Sequence, residues 1–195
     1  MDRNDTAAAR AGSQTLTHVR ELDAPAAAAF RAHTDPGLLR QWIAPGGSEL
    51  RIRDFVARTG GLWNCTIAGP DRELQLFGAF HEVTEPSGSG GTARIVRTVE
   101  SGDRPGHPHL EVLRFTDLAE GRSRLEILSV FASAEARGAA AAAADAEGEM
   151  YDRLDELLAS LEPSPEHAGG AGLYGETSNH RPSEPLRKWD GVTAR

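Results

Sequence analysis

The spacing of apolar residues changes along the chain from the period of a strand to the period of a helix. Residues 50–131 divide into segments of strand length, separated by turn signals such as Gly60-Gly61 and Gly69-Pro70. From Ala134 onward the period is helical. One helical face is apolar and carries Met150, Leu154, Leu157, Leu158 and Leu161. The pattern predicts a run of strands followed by one long C-terminal helix.

The N-terminal part of the chain adds one strand and two short helices ahead of this run. Residues 14–22 alternate between polar and apolar side chains, which is typical of a strand. Asp23 followed by Pro25 indicates a helix start with Asp23 as the N-cap, and Asp35-Pro36 begins a second short helix. The resulting order predicts an α+β fold, in which an antiparallel sheet and the long helix cover each other's apolar faces.

The chain divides into a lead-in, one folded domain and a tail. Residues 1–13 are polar and rich in alanine and are predicted to be disordered, whereas residues 14–161 carry the predicted elements. Residues 162–195 are rich in Pro, Gly, Ser and charge. This tail is either disordered or docked through Leu173-Tyr174 and the segment 186–189.

Composition narrows the classes of partner and cofactor. The formal net charge is −8 for 195 residues, and Lys and Arg do not cluster, so neither nucleic acid nor an anionic membrane is expected as a partner. Cys65 is the single cysteine, which excludes an internal disulfide and a multi-cysteine zinc site. The sequence contains no phosphate loop, dinucleotide motif or membrane-length apolar run, and we expect no secretory leader in its polar, Ala-rich first residues. We therefore expect a cytoplasmic protein without a cofactor.

Short motifs follow one another in a definite order along the domain. They are Ala24-Pro25, Thr34-Asp35-Pro36, Pro45-Gly46-Gly47, Gly60-Gly61-Leu62-Trp63, Gly78-Ala79-Phe80-His81-Glu82-Val83 and Phe115-Thr116-Asp117-Leu118. Over about residues 14–161 this order resembles the activator-of-Hsp90-ATPase-like branch of the START/Bet v 1 superfamily, the SRPBCC or polyketide cyclase-like proteins. The resemblance implies a helix-grip fold, with a curved antiparallel sheet of about six or seven strands around the long helix. Because this fold serves carriers, cyclases and aromatases, it does not specify a chemistry.

The function expected from this resemblance is binding of a hydrophobic or aromatic small molecule in a cavity between sheet and helix. Apolar burial would provide the affinity, and a few polar groups would set the orientation. The resemblance implies that Trp42 and Trp63 line or close the cavity mouth, although a packing role fits these tryptophans equally well. Cys65 shares a strand face with Trp63 and is expected to be a buried, unreactive thiol. The candidate ligand-binding residues are Trp42, Trp63, Cys65, Phe77, His81, Glu147, Met150 and Tyr151.

Glu147 is a carboxylate on the apolar stripe of the long helix. It precedes Met150 by three residues and Leu154 by seven, so all three share one helical face. If Glu147 faces the cavity, it would bind a polar ligand group or act as a general acid or base. The alternative is a slight rotation of the helix that lets Glu147 reach solvent or pair with an arginine.

Two other functions remain open. One is a cyclase-, aromatase- or hydrolase-like enzyme that uses Glu147 with His81 or His109 as an acid–base pair. The other is a protein-interaction module of the Hsp90-activator type. His107, His109 and Glu111 lie close together in the sequence, but three ligands must converge on a metal, and no metal is expected.

One strand has apolar residues on both faces. Leu128 and Val130 alternate with Leu125 and Ile127, so they lie on the opposite side of that strand. This second face is either a surface for a homodimer or for the tail, or a set of scattered surface side chains.

Overall fold

The computed structural model describes residues 6–8, 14–87, 91–141 and 144–161. The predicted tail, residues 162–195, lies outside the described residues. The strands are β1 (Thr6–Ala8), β2 (Thr15–Leu22), β3 (Glu49–Phe55), β4 (Leu62–Ala68), β5 (Glu73–Thr84), β6 (Thr92–Ser101), β7 (His109–Asp117) and β8 (Ser123–Val130). The helices are α1 (Ala26–Thr34), α2 (Pro36–Trp42), α3 (Ala134–Ala141) and α4 (Ala144–Ser160), with a short 3₁₀ turn at Ala119–Gly121.

All the strands belong to one antiparallel sheet in the order β1-β2-β8-β7-β6-β5-β4-β3. Strands β3 to β8 follow one another as a meander, and β2 closes onto β8 at the far side. Helices α1, α2 and α4 pack together, and α1 and α2 contact the sheet. The predicted α+β helix-grip fold is confirmed. No helix in the described part of the chain is long and apolar enough to cross a bilayer.

Strand β1 lies within the lead-in that was predicted to be disordered. Thr6–Ala8 pairs with β2, and Ala7 lies opposite His18. The sequence pattern does not predict this strand. A three-residue strand can pair through its main-chain hydrogen bonds without an alternation of apolar and polar side chains. The lead-in therefore contributes one short strand to the sheet.

The two short helices begin where prolines and aspartates were expected to start them, but one cap comes from elsewhere. Asp35 caps α2 as expected, since its Oδ1 accepts from the N–H groups of Gly37 (2.7 Å) and Leu38 (3.2 Å). The first N–H of α1, that of Ala26, donates instead to Oδ1 of Asp117 at 2.8 Å, not to Asp23. Asp117 ends β7, so this hydrogen bond ties α1 to the sheet.

The core lies between the inner face of the sheet and the helices. Phe80 and Phe115 from the sheet, Trp42 from α2 and Leu154 from α4 are almost completely buried there. Burial of such large apolar side chains is the main stabilising contribution to the domain.

A buried ion pair attaches α4 to the sheet. Nη2 of Arg20, on β2, donates to Oδ1 of Asp152 at 2.6 Å and to Oδ2 of Asp155 at 2.8 Å. The side chains of Arg20 and Asp155 are buried, whereas that of Asp152 is exposed. Asp152 and Asp155 follow Tyr151 on α4, so the ion pair holds the helix in place next to a residue that lines the cavity described below.

Strand β3 forms one edge of the sheet and carries charged side chains along it. Arg51 bonds both Glu49 on its own strand and Glu73 on β5, and Arg53 lies 3.7 Å from Asp54. The pairing of β3 with β4 shifts register after Ile52, which is a β-bulge.

Candidate functional site

A cavity of about 250 Å³ lies between the inner face of the sheet and the helices. Aromatic and aliphatic side chains make up most of its wall, among them Trp42 from α2, Trp63 from β4, Leu113 from β7 and Tyr151 from α4. An enclosed apolar space with a few polar groups is the usual form of a small-molecule site.

A wider outer pocket of about 570 Å³ adjoins this cavity at the turn between β6 and β7. Its wall carries the charged residues Asp103, Arg104 and Glu135. The two spaces share His109 and Phe131, whose rings are stacked with their centroids 4.8 Å apart. The two spaces therefore adjoin at these rings and at Leu76, Val99 and Ala140, which also line both.

Trp63 is fixed in the cavity wall by a contact that requires glycine opposite it. Its Nε1 donates to the carbonyl oxygen of Thr98 on β6 at 3.2 Å, and Gly78 of β5 lies opposite Trp63 in the sheet. A Cβ atom on Gly78 would lie 1.9 Å from that oxygen and 2.9 Å from the indole Nε1. The guanidinium of Arg97 covers the ring, 5.3 Å from its centroid, as in a cation–π contact.

Arg97 and Glu111 form an ion pair in the cavity wall. Nε of Arg97 donates to Oε2 of Glu111 at 2.8 Å, and Nη2 lies 2.8 Å from the same oxygen. Nε2 of His109 lies 3.4 Å from Oε1. Burial alone would raise the pKa of Glu111, but Arg97 and His109 lower it to about 2. The carboxylate of Glu111 is therefore ionised at neutral pH and already paired with Arg97 and His109.

His33 is a buried, neutral histidine in the same wall. Its Nδ1 lies 2.8 Å from the carbonyl oxygen of Ala29, one turn back on α1. Because a carbonyl oxygen only accepts, Nδ1 carries the proton of the neutral ring and Nε2 carries the lone pair. Burial lowers the pKa of His33 to about 4, against the opposing effect of the Ala29 bond. Among the described residues Nε2 has no hydrogen-bond partner.

Cys65 faces the cavity as a protonated thiol. Burial raises its pKa to about 11, and Arg97 acts in the opposite direction. A nucleophilic cysteine needs a lowered pKa, so this environment disfavours attack by the thiolate.

The structure brings together most of the residues that the sequence suggested as ligand contacts. Those that line the cavity are Trp42, Trp63, Cys65, Met150 and Tyr151. They come from three separate elements, α2, β4 and α4, and the inner face of the sheet collects them.

Phe77 and His81 do not line the cavity, contrary to the sequence prediction. On β5 the inward positions are Leu76, which lines the cavity, and Phe80, which is buried in the core. Phe77 and His81 alternate with these and face outward, and His81 is exposed. The prediction selected the wrong parity, because both faces of β5 carry apolar residues.

The three residues proposed from the sequence as acid–base groups lie in different places. Glu147 lies within α4, but its side chain is outside the described part of the structure. His81 is exposed on the outer face, so it is not placed to act in the cavity. His109 borders both the cavity and the outer pocket, beside Glu111.

Sequence reasoning missed the polar part of the site. Arg97 was not singled out, His33 was not considered, and Glu111 was weighed only as a metal ligand. Arg97 and Glu111 lie directly opposite each other on β6 and β7, a fact that requires the strand register. Among the described residues, no group of three or more His, Cys, Asp or Glu side chains is placed to hold a metal ion.

Comparisons with known proteins place the chain among proteins of one fold. The family model described as "Activator of Hsp90 ATPase homolog 1-like protein" matches residues 23–159. A comparison with curated proteins found no match.

Several solved bacterial structures are similar to the chain. A crystal structure from Rhodobacter sphaeroides is 28% identical, with a TM-score of 0.68, over 81% of this chain and 100% of the other. A crystal structure from Mycobacterium smegmatis is 24% identical, with a TM-score of 0.65, over 80% and 98% of the two chains. A solution structure from Arthrobacter aurescens is 18% identical, with a TM-score of 0.65, over 86% and 98%. The last two similarities support the fold alone.

Proposed function

The chain belongs to the activator of Hsp90 ATPase homolog 1-like family, and from that premise we propose that it binds a hydrophobic or aromatic small molecule in the cavity between sheet and helices. The observation that carries the proposal is the cavity of about 250 Å³ itself, with its mostly apolar wall. A core that served stability alone would be filled with side chains, because protein interiors are close-packed.

The electrostatics of the cavity favour binding over catalysis. A general acid or base works best with a pKa near the operating pH, but the pKa of Glu111 is about 2 and that of His33 about 4. Cys65, with its pKa raised to about 11, is a poor nucleophile at neutral pH. These groups can orient a ligand by hydrogen bonds without exchanging protons with it.

The first test is native mass spectrometry of freshly purified protein, followed by calorimetric titration with 2-methylnaphthalene as an uncharged apolar probe. The matched variants are Ala140→Trp and Ala139→Trp. Ala140 borders both the cavity and the outer pocket, so an indole there should fill the space where they meet, whereas the neighbouring Ala139 is in neither wall. We expect wild type and Ala139→Trp to bind the probe and Ala140→Trp to lose binding.

The opposite outcome is equally clear. A chain that carries no small molecule after purification and binds no probe would contradict the proposed function. Equal binding by both tryptophan variants would place the probe elsewhere than in this cavity.

We also propose that the outer face of the sheet forms a homodimer contact. Val96, Val112 and Leu128 lie directly opposite one another on β6, β7 and β8, and Leu110 lies opposite Val130 in the next pairing along. Leu128 is 37% exposed, although it is a large apolar side chain at the centre of these opposed positions. These five residues form one contiguous apolar surface.

Analytical ultracentrifugation tests the dimer. Leu128→Arg should shift the protein from dimer to monomer, since it places a charge in the middle of the apolar row. Leu62→Arg is the control, because Leu62 is also exposed, at 64%, but lies on β4 away from this row. A monomeric wild-type protein would refute the proposal.

A further inference from the structure

The most specific feature of the cavity is a buried hydrogen-bond acceptor that no described protein group satisfies. Nδ1 of His33 is bonded to its own helix, so the ring is oriented and its tautomer is set. The lone pair of Nε2 then lies on the opposite edge of the ring, and among the described residues it meets no donor. Buried polar atoms without a partner are rare in folded proteins and usually indicate a ligand, a water molecule or a functional role.

Aromatic rings surround this acceptor. The His33 ring centroid lies 4.8 Å from that of Trp42 and 5.0 Å from that of Phe115. A flat, apolar group would be well accommodated beside such rings, which favour offset-stacked and edge-to-face contacts. His33 also belongs to the wall of the cavity, together with Trp42.

The fixed charges in the cavity wall neutralise each other. Arg97 is bonded through two of its nitrogen atoms to Glu111, and its flat face lies over Trp63. An incoming carboxylate would have to compete with Glu111 for Arg97 and would also lose its own hydration. The cavity wall is therefore not expected to bind an anion more favourably than water does.

From these observations, and resting on the proposed function, we propose that the cavity selects an uncharged aromatic ligand with a hydroxyl group, which donates a hydrogen bond to Nε2 of His33. Phenols and naphthols are the simplest members of this class. The aromatic body occupies the apolar wall, and the hydroxyl group supplies the donor that the histidine lacks.

The test compares three compounds on one ring system: 2-naphthol, 2-methylnaphthalene and 2-naphthoate. They carry a hydroxyl group, a methyl group of similar size, and a carboxylate that is ionised at pH 7. The dissociation constants are measured by calorimetry for wild type, His33→Phe and His81→Phe. His81→Phe is the matched control, because His81 is exposed on the outer face.

The readout is the ratio of the dissociation constants of 2-methylnaphthalene and 2-naphthol, compared between proteins. Comparing the proteins cancels the difference between the two compounds in water. We expect His33→Phe to reduce the preference for 2-naphthol by about tenfold, the effect of one buried hydrogen bond, and His81→Phe to leave it unchanged. We also expect 2-naphthoate to bind more weakly than 2-naphthol to wild type.

A spectroscopic measurement covers the case in which His33→Phe does not fold. In long-range ¹H–¹⁵N spectra of the wild-type protein, the ¹⁵N resonance of His33 Nε2 should move upfield with 2-naphthol and not with 2-methylnaphthalene. A resonance that responds alike to both compounds would overturn the inference.

The remaining outcomes separate the inference from the proposed function. If 2-methylnaphthalene binds but the ratio is the same in wild type and His33→Phe, the inference is wrong and the binding function stands. Tighter binding of 2-naphthoate than of 2-naphthol would also overturn it, because Arg97 would then be recognising an anion. If none of the compounds binds, both proposals fail.

Discussion

Replacing Gly78 by alanine tests how the sheet holds Trp63 in the cavity wall. The added Cβ would lie 1.9 Å from the carbonyl oxygen of Thr98 and 2.9 Å from Nε1 of Trp63. The first of these atoms belongs to the main chain of β6, which cannot turn aside as a side chain can. The substitution must therefore displace a strand, the indole, or both.

The cost follows from these distances. Cβ atoms essentially never lie closer than 3.0 Å to such neighbours, so the Thr98 oxygen must retreat by about 1 Å or more. Overpacking of this kind costs about 1–3 kcal/mol, and loss of the hydrogen bond between Trp63 and Thr98 adds about 1 kcal/mol. We expect Gly78→Ala to lower the free energy of unfolding by about 2–4 kcal/mol.

Urea unfolding followed by circular dichroism measures this loss, and near-ultraviolet spectra report the packing of Trp63. Gly138→Ala is the control: Gly138 lies in α3, and an added Cβ there meets nothing within 4 Å. Alanine in a helix should stabilise the protein by about 0.5–1 kcal/mol. A loss below about 1 kcal/mol for Gly78→Ala, with an unchanged near-ultraviolet spectrum, would refute the close approach of these strands.

Three further predictions concern the buried charges and the thiol. Asp155→Asn should lower the free energy of unfolding by about 2–3 kcal/mol, because it removes the buried carboxylate from Arg20. Asp152→Asn should lower it by under about 1 kcal/mol, since that side chain is 70% exposed. Equal losses in urea unfolding would contradict this prediction. The pKa of His33 is about 4 in the folded protein and 6.5 in a free chain, so between these pH values the folded state binds fewer protons than the unfolded state. Acidification from pH 6.5 to 4 should therefore lower the free energy of unfolding by up to about 3 kcal/mol. This part of the pH dependence should vanish in His33→Phe, and unfolding midpoints measured at several pH values would reveal its persistence. The pKa of Cys65 is raised to about 11, so at pH 8 native protein should react with iodoacetamide about a hundredfold more slowly than urea-unfolded protein, and similar rates would rule out the buried thiol.

The sequence was most informative where one periodicity was unambiguous. The leucine stripe of the last helix predicted which face of α4 is buried, and Leu154, Leu157 and Leu158 are buried there. Alternation on β4 placed Trp63 and Cys65 on one face, and both line the cavity. In these segments the opposite face is mostly polar, so that only one arrangement buries most of the apolar side chains.

The sequence was least informative where both faces of an element are apolar. On β5, Leu76 and Phe80 compete with Phe77 and Ala79, and alternation shows which residues share a face but not which face is inward. The neighbouring strands decide this, since Trp63 requires Gly78 beside it and Gly78 has the same parity as Leu76.

The ion pair of the cavity wall could not be predicted for a different reason. Arg97 and Glu111 are fourteen residues apart and lie on different strands, and they meet because β6 and β7 pair in one particular register. A shift of one residue in this pairing would place the two side chains on opposite faces of the sheet. The partner of a buried charge is therefore a property of the sheet, which local sequence patterns do not encode.

The charged edge strand β3 has a consequence for how the protein behaves at high concentration. An open sheet ends in unpaired main-chain groups, which can recruit a strand from another molecule and start aggregation. On β3 the alternating charges of Glu49, Arg51 and Arg53 and the bulge after Ile52 make a flat, continuous pairing with a second copy unfavourable. The curved sheet can thus stay open at this edge and enclose its internal cavity without becoming a template for fibrils.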